Sequence, residues 1–272
     1  MDFPIARHNF YSEIHQPDDQ IDLARAALYI AQEEYPTLDP DEYLNALDAM
    51  AADIREQLSD ESYPLRIIQS INHYLYDDLG FRGNTANYYD PDNSYLNQVI
   101  ERRTGIPITL SLVYLELAKR LEFPMEGVGM PGHFLIRPTL PEMAIFVDPF
   151  HRGEIMFSED CQERLTELSG GAIAFRPEFL AVDARQFLAR MLTNLKFIYI
   201  DQGNISKCLA AIDRLLLLNP ESPTELRDRG LLYYQIKRWT EARHDLESYL
   251  NHTPLARDAA VVRQILERID GG

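Results

Sequence analysis

The run from Ile108 to Leu121 leaves this chain few ways to fold. Ile108, Leu110, Leu112, Val113, Leu115, Leu117, Ala118 and Leu121 cover a helix on nearly every side, and Pro107 suits its first position. A helix that is apolar all round must be enclosed, so a domain has to be built about it. Only Glu116, Lys119 and Arg120, near its end, are expected in solvent. Downstream the period shortens: Phe134–Ile136 and Ala144–Val147 read as strands, with Pro138 and Pro141 in the turn between them. The first opens at His133 and the second closes at Asp148, so a hairpin sets an imidazole beside a carboxylate. In covalent catalysis such a His takes the nucleophile's proton and the Asp fixes the ring's tautomer. The pair can equally be a buried tie between two strands. No cysteine lies within residues 1–160 to serve as the nucleophile.

Upstream, the patterning predicts helices. One is expected over about Ile21–Glu34, capped by Asp18 or Asp19 and ended at Tyr35-Pro36; residues 1–17 read as irregular. Asp39 caps the next, with Pro40 at its first position and Leu44, Leu47, Met50, Ala51 and Ile54 at helical spacing. A third has Pro64 early and Gly80 as its stop. Residues 81–97 crowd Asn, Tyr and Asp into a loop, and such side chains either pin an irregular backbone or line a cleft. Asn87, Tyr88, Asp90 and Asn93 are its candidate ligand contacts. A short helix over Ser94–Arg103 is expected to end at Gly105. Ile155–Phe157 reads as a further strand, and Ser158–Ser169 as a helix closed by Gly170.

The last third repeats at a 34-residue offset. Tyr199 matches Tyr233, Cys208 matches Ala242, Ile212 matches Leu246, Leu216 matches Leu250 and Pro220 matches Pro254. Gly230, Tyr233, Ala242 and Pro254 stand at tetratricopeptide-repeat offsets, while the first copy carries Lys196 in place of Gly230. Residues 257–269 read as a capping helix. The first helices of the repeats offer Lys196, Tyr199, Arg227 and Tyr233 as contacts for a protein partner.

With 46% hydrophobic residues, 272 residues are enough for one large core or two smaller ones. The expected architecture is α+β: residues 1–182 form helices, to about residue 80, and a core with a small antiparallel sheet, and residues 183–272 form the all-helical repeats. The net charge of −17 argues against a nucleic-acid partner, and residues 1–60 alone hold 14 acidic and 3 basic side chains. Two cysteines make no disulfide framework, Met1-Asp2-Phe3-Pro4 has no signal-peptide pattern and no run is long enough to span a membrane, so a cytoplasmic chain is expected.

Gly105-Ile106-Pro107, Gly132-His133 and Val147-Asp148-Pro149 resemble the three motifs of the transglutaminase-like superfamily. Asn87–Asn97, Gly105–Ser111, Pro131-Gly132-His133 and Asp148-Pro149-Phe150 together resemble the narrower bacterial SirB-one family, in which a transglutaminase-like domain is joined to tetratricopeptide repeats. The resemblance covers nearly the whole chain. It implies a papain-like core with His133 and Asp148 at the His and Asp positions, and it aligns the family's Cys with about Pro107, which has no nucleophilic side chain.

Two residues are candidates for a substitute nucleophile. Ser111 lies one turn beyond Pro107, about 40° round the helix and roughly 6 Å deeper, whereas Thr109 faces away. Cys161 stands in the first turn of a helix, where the dipole favours thiolate and Glu159, Asp160 and Glu163 oppose it. His133, Asp148 and His151 have a permissible metal-ligand spacing without a completed pattern, and no phosphate loop or dinucleotide fingerprint is present, so neither metal nor cofactor is expected. Two readings follow. One is a thiol-less, non-catalytic adaptor that binds a protein through its repeats and retains a cleft for a peptide or small molecule. The other is a hydrolase or acyltransferase using His133 and Asp148 with Ser111 or Cys161.

Overall fold

The computed structural model describes residues 4–58, 63–140, 143–171, 174–176 and 181–271. Met1–Phe3 and the turn residue Pro141 lie outside them. The fold is α+β, in two compact units, residues 1–191 and 192–272. Among the described residues no helix is long and apolar enough to cross a membrane.

In the first unit, helices α1 (Ile5–Ile14), α2 (Leu23–Gln32), α3 (Pro40–Glu56) and α4 (Pro64–Asn72) come first, and α4 continues as a π-helical turn over His73–Asp78. Residues 5–14, expected to be irregular, are therefore helical: Ala6, Phe10 and Ile14, four apart, bury one face of α1. Asp22, not Asp18 or Asp19, caps α2 by accepting from Arg25 N at 3.0 Å. Asp39 caps α3 as expected, accepting from Asp41 N at 3.0 Å.

Strand β1 (Arg82–Gly83) leads through the Asn-rich loop to α5 (Leu96–Arg102) and β2 (Thr104–Gly105), which pairs in parallel with β1. Arg103, at φ 51°, ends α5 in the left-handed conformation, a role expected of Gly105. Gly105 instead admits a close approach: a Cβ there would sit 2.8 Å from Thr109 Oγ1.

The central helix α6 (Pro107–Arg120) is buried at every residue from Pro107 to Tyr114. It packs against α3, α5 and the sheet. Glu116 is buried too, contrary to the expected solvated end, because Arg120 pairs with it and also reaches Asp48 at 2.6 Å. A buried carboxylate needs such a partner.

The main sheet contains β3 (Met125–Met130), β4 (His133–Pro138), β5 (Phe146–Asp148), β6 (Glu154–Met156) and β7 (Ala181–Val182), in the order β6-β5-β4-β3-β7, with every pair antiparallel. Met130 faces His133 across a two-residue turn, Pro131-Gly132. Proline presets its own φ, and Gly132 takes φ +74°, which side chains disfavour. Those two residues fix the register that starts β4 at His133. Helix α7 (Ser158–Ser169) covers the sheet's apolar face, where Cys161 and Leu165 join Val128, Met130, Leu135, Phe146 and Met156.

Helix α8 (Ala184–Asp201) contains the division between the units; α9 (Ile205–Leu218), α10 (Pro223–Gln235), α11 (Trp239–His252) and α12 (Ala259–Gly271) follow. The repeat residues have evident packing roles. A Cβ on Gly230 would lie 2.8 Å from Leu246, so α10 and α11 approach as closely as a missing side chain allows. In the first copy Cys208 Sγ lies 3.9 Å from the Lys196 carbonyl.

Candidate functional site

Asp148 ends β5 wholly buried, and its two oxygens have different work. Oδ1 accepts from Phe150 N at 3.0 Å and His151 N at 3.3 Å, which closes the short helical turn Pro149–His151. Oδ2 faces three cationic or ring donors: His133 Nε2 at 2.7 Å, His151 Nδ1 at 2.8 Å and Arg164 Nη1. Burial raises the carboxyl's pKa, but the hydrogen bonds and charges of His133 and His151 outweigh it and hold the group at about 2. Asp148 is therefore ionised at any physiological pH. Arg164 also donates through Nη2 to Glu154 Oε2 at 3.1 Å.

His133 is 7% exposed and presents Nε2 to the carboxylate. Among the described residues Nδ1, the nitrogen left for a reacting group, makes no hydrogen bond. The ring meets Phe150 edge-on at 6.2 Å and His151 at 5.7 Å. Phe150 in turn meets Tyr88 at 6.1 Å and lies over Gly83, where an added Cβ would come within 2.6 Å of its ring. Arg190 steadies the backbone here: Nη2 donates to the His133 carbonyl at 2.6 Å and to the Met130 carbonyl. Clefts of about 470 and 440 Å³ in the same unit are lined by neither His133 nor Asp148.

The two alternative nucleophiles lie in apolar interior. Ser111 is fully buried in α6 and its hydroxyl makes no hydrogen bond among the described residues. Cys161 is fully buried in the sheet's core; burial first, then Asp160, pushes its thiol up to about 12, so the dipole of α7 does not prevail. Pro107 opens α6, which packs against β4 and the Pro149–His151 turn. Thr109 turns to the Asn-rich loop, donating to the Asn93 carbonyl at 2.7 Å while accepting from Ile106 N at 3.1 Å.

The four loop residues do different things. Asn93, expected in a cleft, is wholly buried: Nδ2 donates to the Asn87 and Tyr88 carbonyls at 2.8 and 3.1 Å, and Oδ1 accepts from Asn84. Asp90 is similarly engaged, by Asp92 N at 3.1 Å and Arg102 at 2.8 Å. Both staple the loop, because a turn without ladder partners must satisfy its backbone from side chains. Asn87 is exposed, and its amide is held by Asn84 Oδ1. Tyr88 alone of the four reaches the aromatic group beside His133.

In the repeats, Lys196 and Tyr199 are 2% and 3% exposed, so neither presents a docking surface. Lys196 turns inward, and its amine pairs with Glu225 at 2.8 Å and Asp228 at 2.6 Å on α10. Arg227 and Tyr233 are half-buried, Arg227 pairing with Asp228 and Asp258, and Tyr233 lying 4.5 Å beneath the guanidinium of Arg238. Arg164 and Arg190 were not singled out from sequence. For Arg164 a signal existed: it is the sole basic residue of the otherwise acidic α7, one turn from Cys161.

A strand-borne imidazole tied through one nitrogen to a carboxylate, beside an enclosed central helix and followed by paired helices, defines a transglutaminase-like domain joined to tetratricopeptide repeats. The chain belongs to the transglutaminase-like superfamily, whose model matches residues 41–193, and a tetratricopeptide-repeat model matches residues 195–267. It is similar to a UPF0162 protein of Xylella fastidiosa (strain 9a5c), 38% identical over 90% of this chain and 89% of the relative. A UPF0162 protein of Pseudomonas aeruginosa is 31% identical over 84% of this chain and 83% of its own. Human F-box only protein 21 is 31% identical over 65% of this chain, which corresponds to 29% of that protein.

Proposed function

We propose that this is a non-catalytic member of its superfamily, an adaptor in which the transglutaminase-like fold supports protein binding and the repeats carry the docking surface. The domain pair itself points to a protein-interaction module. The observation carrying the non-catalytic reading is the state of the thiols. Pro107 stands where the motif alignment puts the nucleophile, and the front unit's one cysteine, Cys161, is sealed in apolar core with its thiol held protonated. On the repeats, Tyr233 with Arg227 is the remaining candidate contact, since Lys196 and Tyr199 are buried.

The native chain treated with an epoxide or vinyl-sulfone acylation-site probe is expected to stay unlabelled, with Cys161 and Cys208 reacting only after denaturation. Labelling of Ser111 or Cys161 in the folded protein that disappears in His133→Ala would establish the hydrolase or acyltransferase reading instead. That second reading is favoured by one observation, the unengaged Nδ1 of His133. The docking assignment fails if Arg227→Glu and Tyr233→Ala together leave partner capture unchanged.

A further inference from the structure

The donor atoms of His133, Asp148 and His151 all lie within 4.8 Å of one another. Ligand atoms about 2.0–2.2 Å from a shared ion stand roughly 3–3.5 Å apart, so a small adjustment of these side chains makes a coordination set. The set is two imidazoles and a carboxylate, which suits zinc, cobalt or nickel and not calcium or magnesium, which prefer oxygen throughout.

Three further features belong to the same place. Asp148 Oδ2 serves three donors, His133, His151 and Arg164, more than one oxygen's lone pairs accommodate well. A positive charge already stands within the group, because Arg164 Nη1 lies 3.3 Å from His151 Nδ1 as well as against Asp148. That guanidinium has a second anchor in Glu154 and can leave Asp148 without losing all its partners. Access is through His151, whose side chain is half-exposed, whereas His133 and Asp148 are fixed on β4 and β5.

We propose that His133, Asp148 and His151 bind one divalent transition-metal ion, and that Arg164 is the exchangeable cation that stands in its place. His133 contributes Nε2, Asp148 Oδ2 and His151 Nδ1, and Arg164 withdraws onto Glu154. This goes beyond the adaptor reading and is independent of it: an ion at this site needs no thiol and implies no reaction.

The test is a titration of the full-length, untagged, chelator-stripped chain with Co²⁺ alone, followed by its visible absorption, with Zn²⁺ displacing it. About one equivalent per chain is expected, with bands of a low-coordinate nitrogen–oxygen site. Removing even a residue that supports a ligand costs about 10–100-fold in affinity, so His151→Ala is expected to weaken binding at least about 100-fold. His151→Ala is chosen because that ring is exposed and its loss leaves β4 and β5 joined; far-ultraviolet circular dichroism verifies folding. Arg164→Gln removes the competing cation and is expected to tighten binding about 10-fold or more. Absence of stoichiometric binding in both the unaltered chain and Arg164→Gln overturns the proposal. So does binding that His151→Ala leaves unchanged.

Discussion

The two units differ in how much charge they carry and in where it converges. Residues 192–272 hold 11 acidic and 11 basic side chains, so the entire net charge of −17 falls in residues 1–191. In the neutral unit, charges are shared out. Arg229 reaches both Asp245 and Asp213, Lys196 reaches Glu225 and Asp228, and Arg227 reaches Asp228 and Asp258. In the acidic unit, one oxygen of Asp148 collects three partners. Shared pairs tolerate the loss of a member. A single buried carboxylate that also closes a turn does not, and this difference separates a scaffold from a site.

The sharpest way to break the contrast is to remove the two buried aspartates in turn. Asp148→Ala strands the buried His133, takes one of Arg164's two anions and opens the Pro149–His151 turn, and is expected to cost about 3–5 kcal/mol in urea unfolding. Asp245→Ala leaves Arg229 its bond to Asp213 and should cost about 1–3 kcal/mol. Equal losses would erase the distinction. Next, Gly230→Ala drives a methyl into Leu246 and should destabilise by about 1–3 kcal/mol, outweighing alanine's better helix propensity.

Acid unfolding sharpens the comparison at similar size. The Asp148 carboxyl is lowered from 3.8 to about 2, so its stabilisation is complete above about pH 4 and disappears as pH falls toward 2. It is worth about 2 kcal/mol. Urea midpoints measured from pH 5 to pH 2 should fall less steeply in Asp148→Asn than in the unaltered chain. The smallest effect is expected on the neutral unit's surface: Arg238→Ala removes an exposed pair with Glu241 and the guanidinium over Tyr233, and should leave the urea midpoint nearly unchanged.

Much of this arrangement was legible because it is local. The all-round apolar run required an enclosed helix, and the runs Phe134–Ile136 and Ala144–Val147, read as a hairpin, brought His133 and Asp148 together. The 34-residue offset marked Gly230 as a repeat position. What escaped was either masked or distant in sequence. Glu126, Gly127 and Gly129 obscure the alternation of β3, and α1 shows only three inward residues at four-residue spacing. Asn93 and Asp90 have the composition of a ligand-lining loop, yet their hydrogen bonds go to the backbone around them. Arg164 meets Asp148 only because α7 folds back across 16 residues, and Lys196 is buried because its anions sit 29 and 32 positions away. Periodicity reports which face turns inward, not which opposite charge waits there.

Gly83 has a consequence larger than its size. Only a hydrogen atom fits beneath the Phe150 ring, so the width of the wall around the histidine is set by a residue fifty positions upstream that touches no acid, base or thiol. Any methyl group there must evict the ring, so that glycine is a single lever on the wall beside the histidine, one that leaves the ionic centre itself untouched.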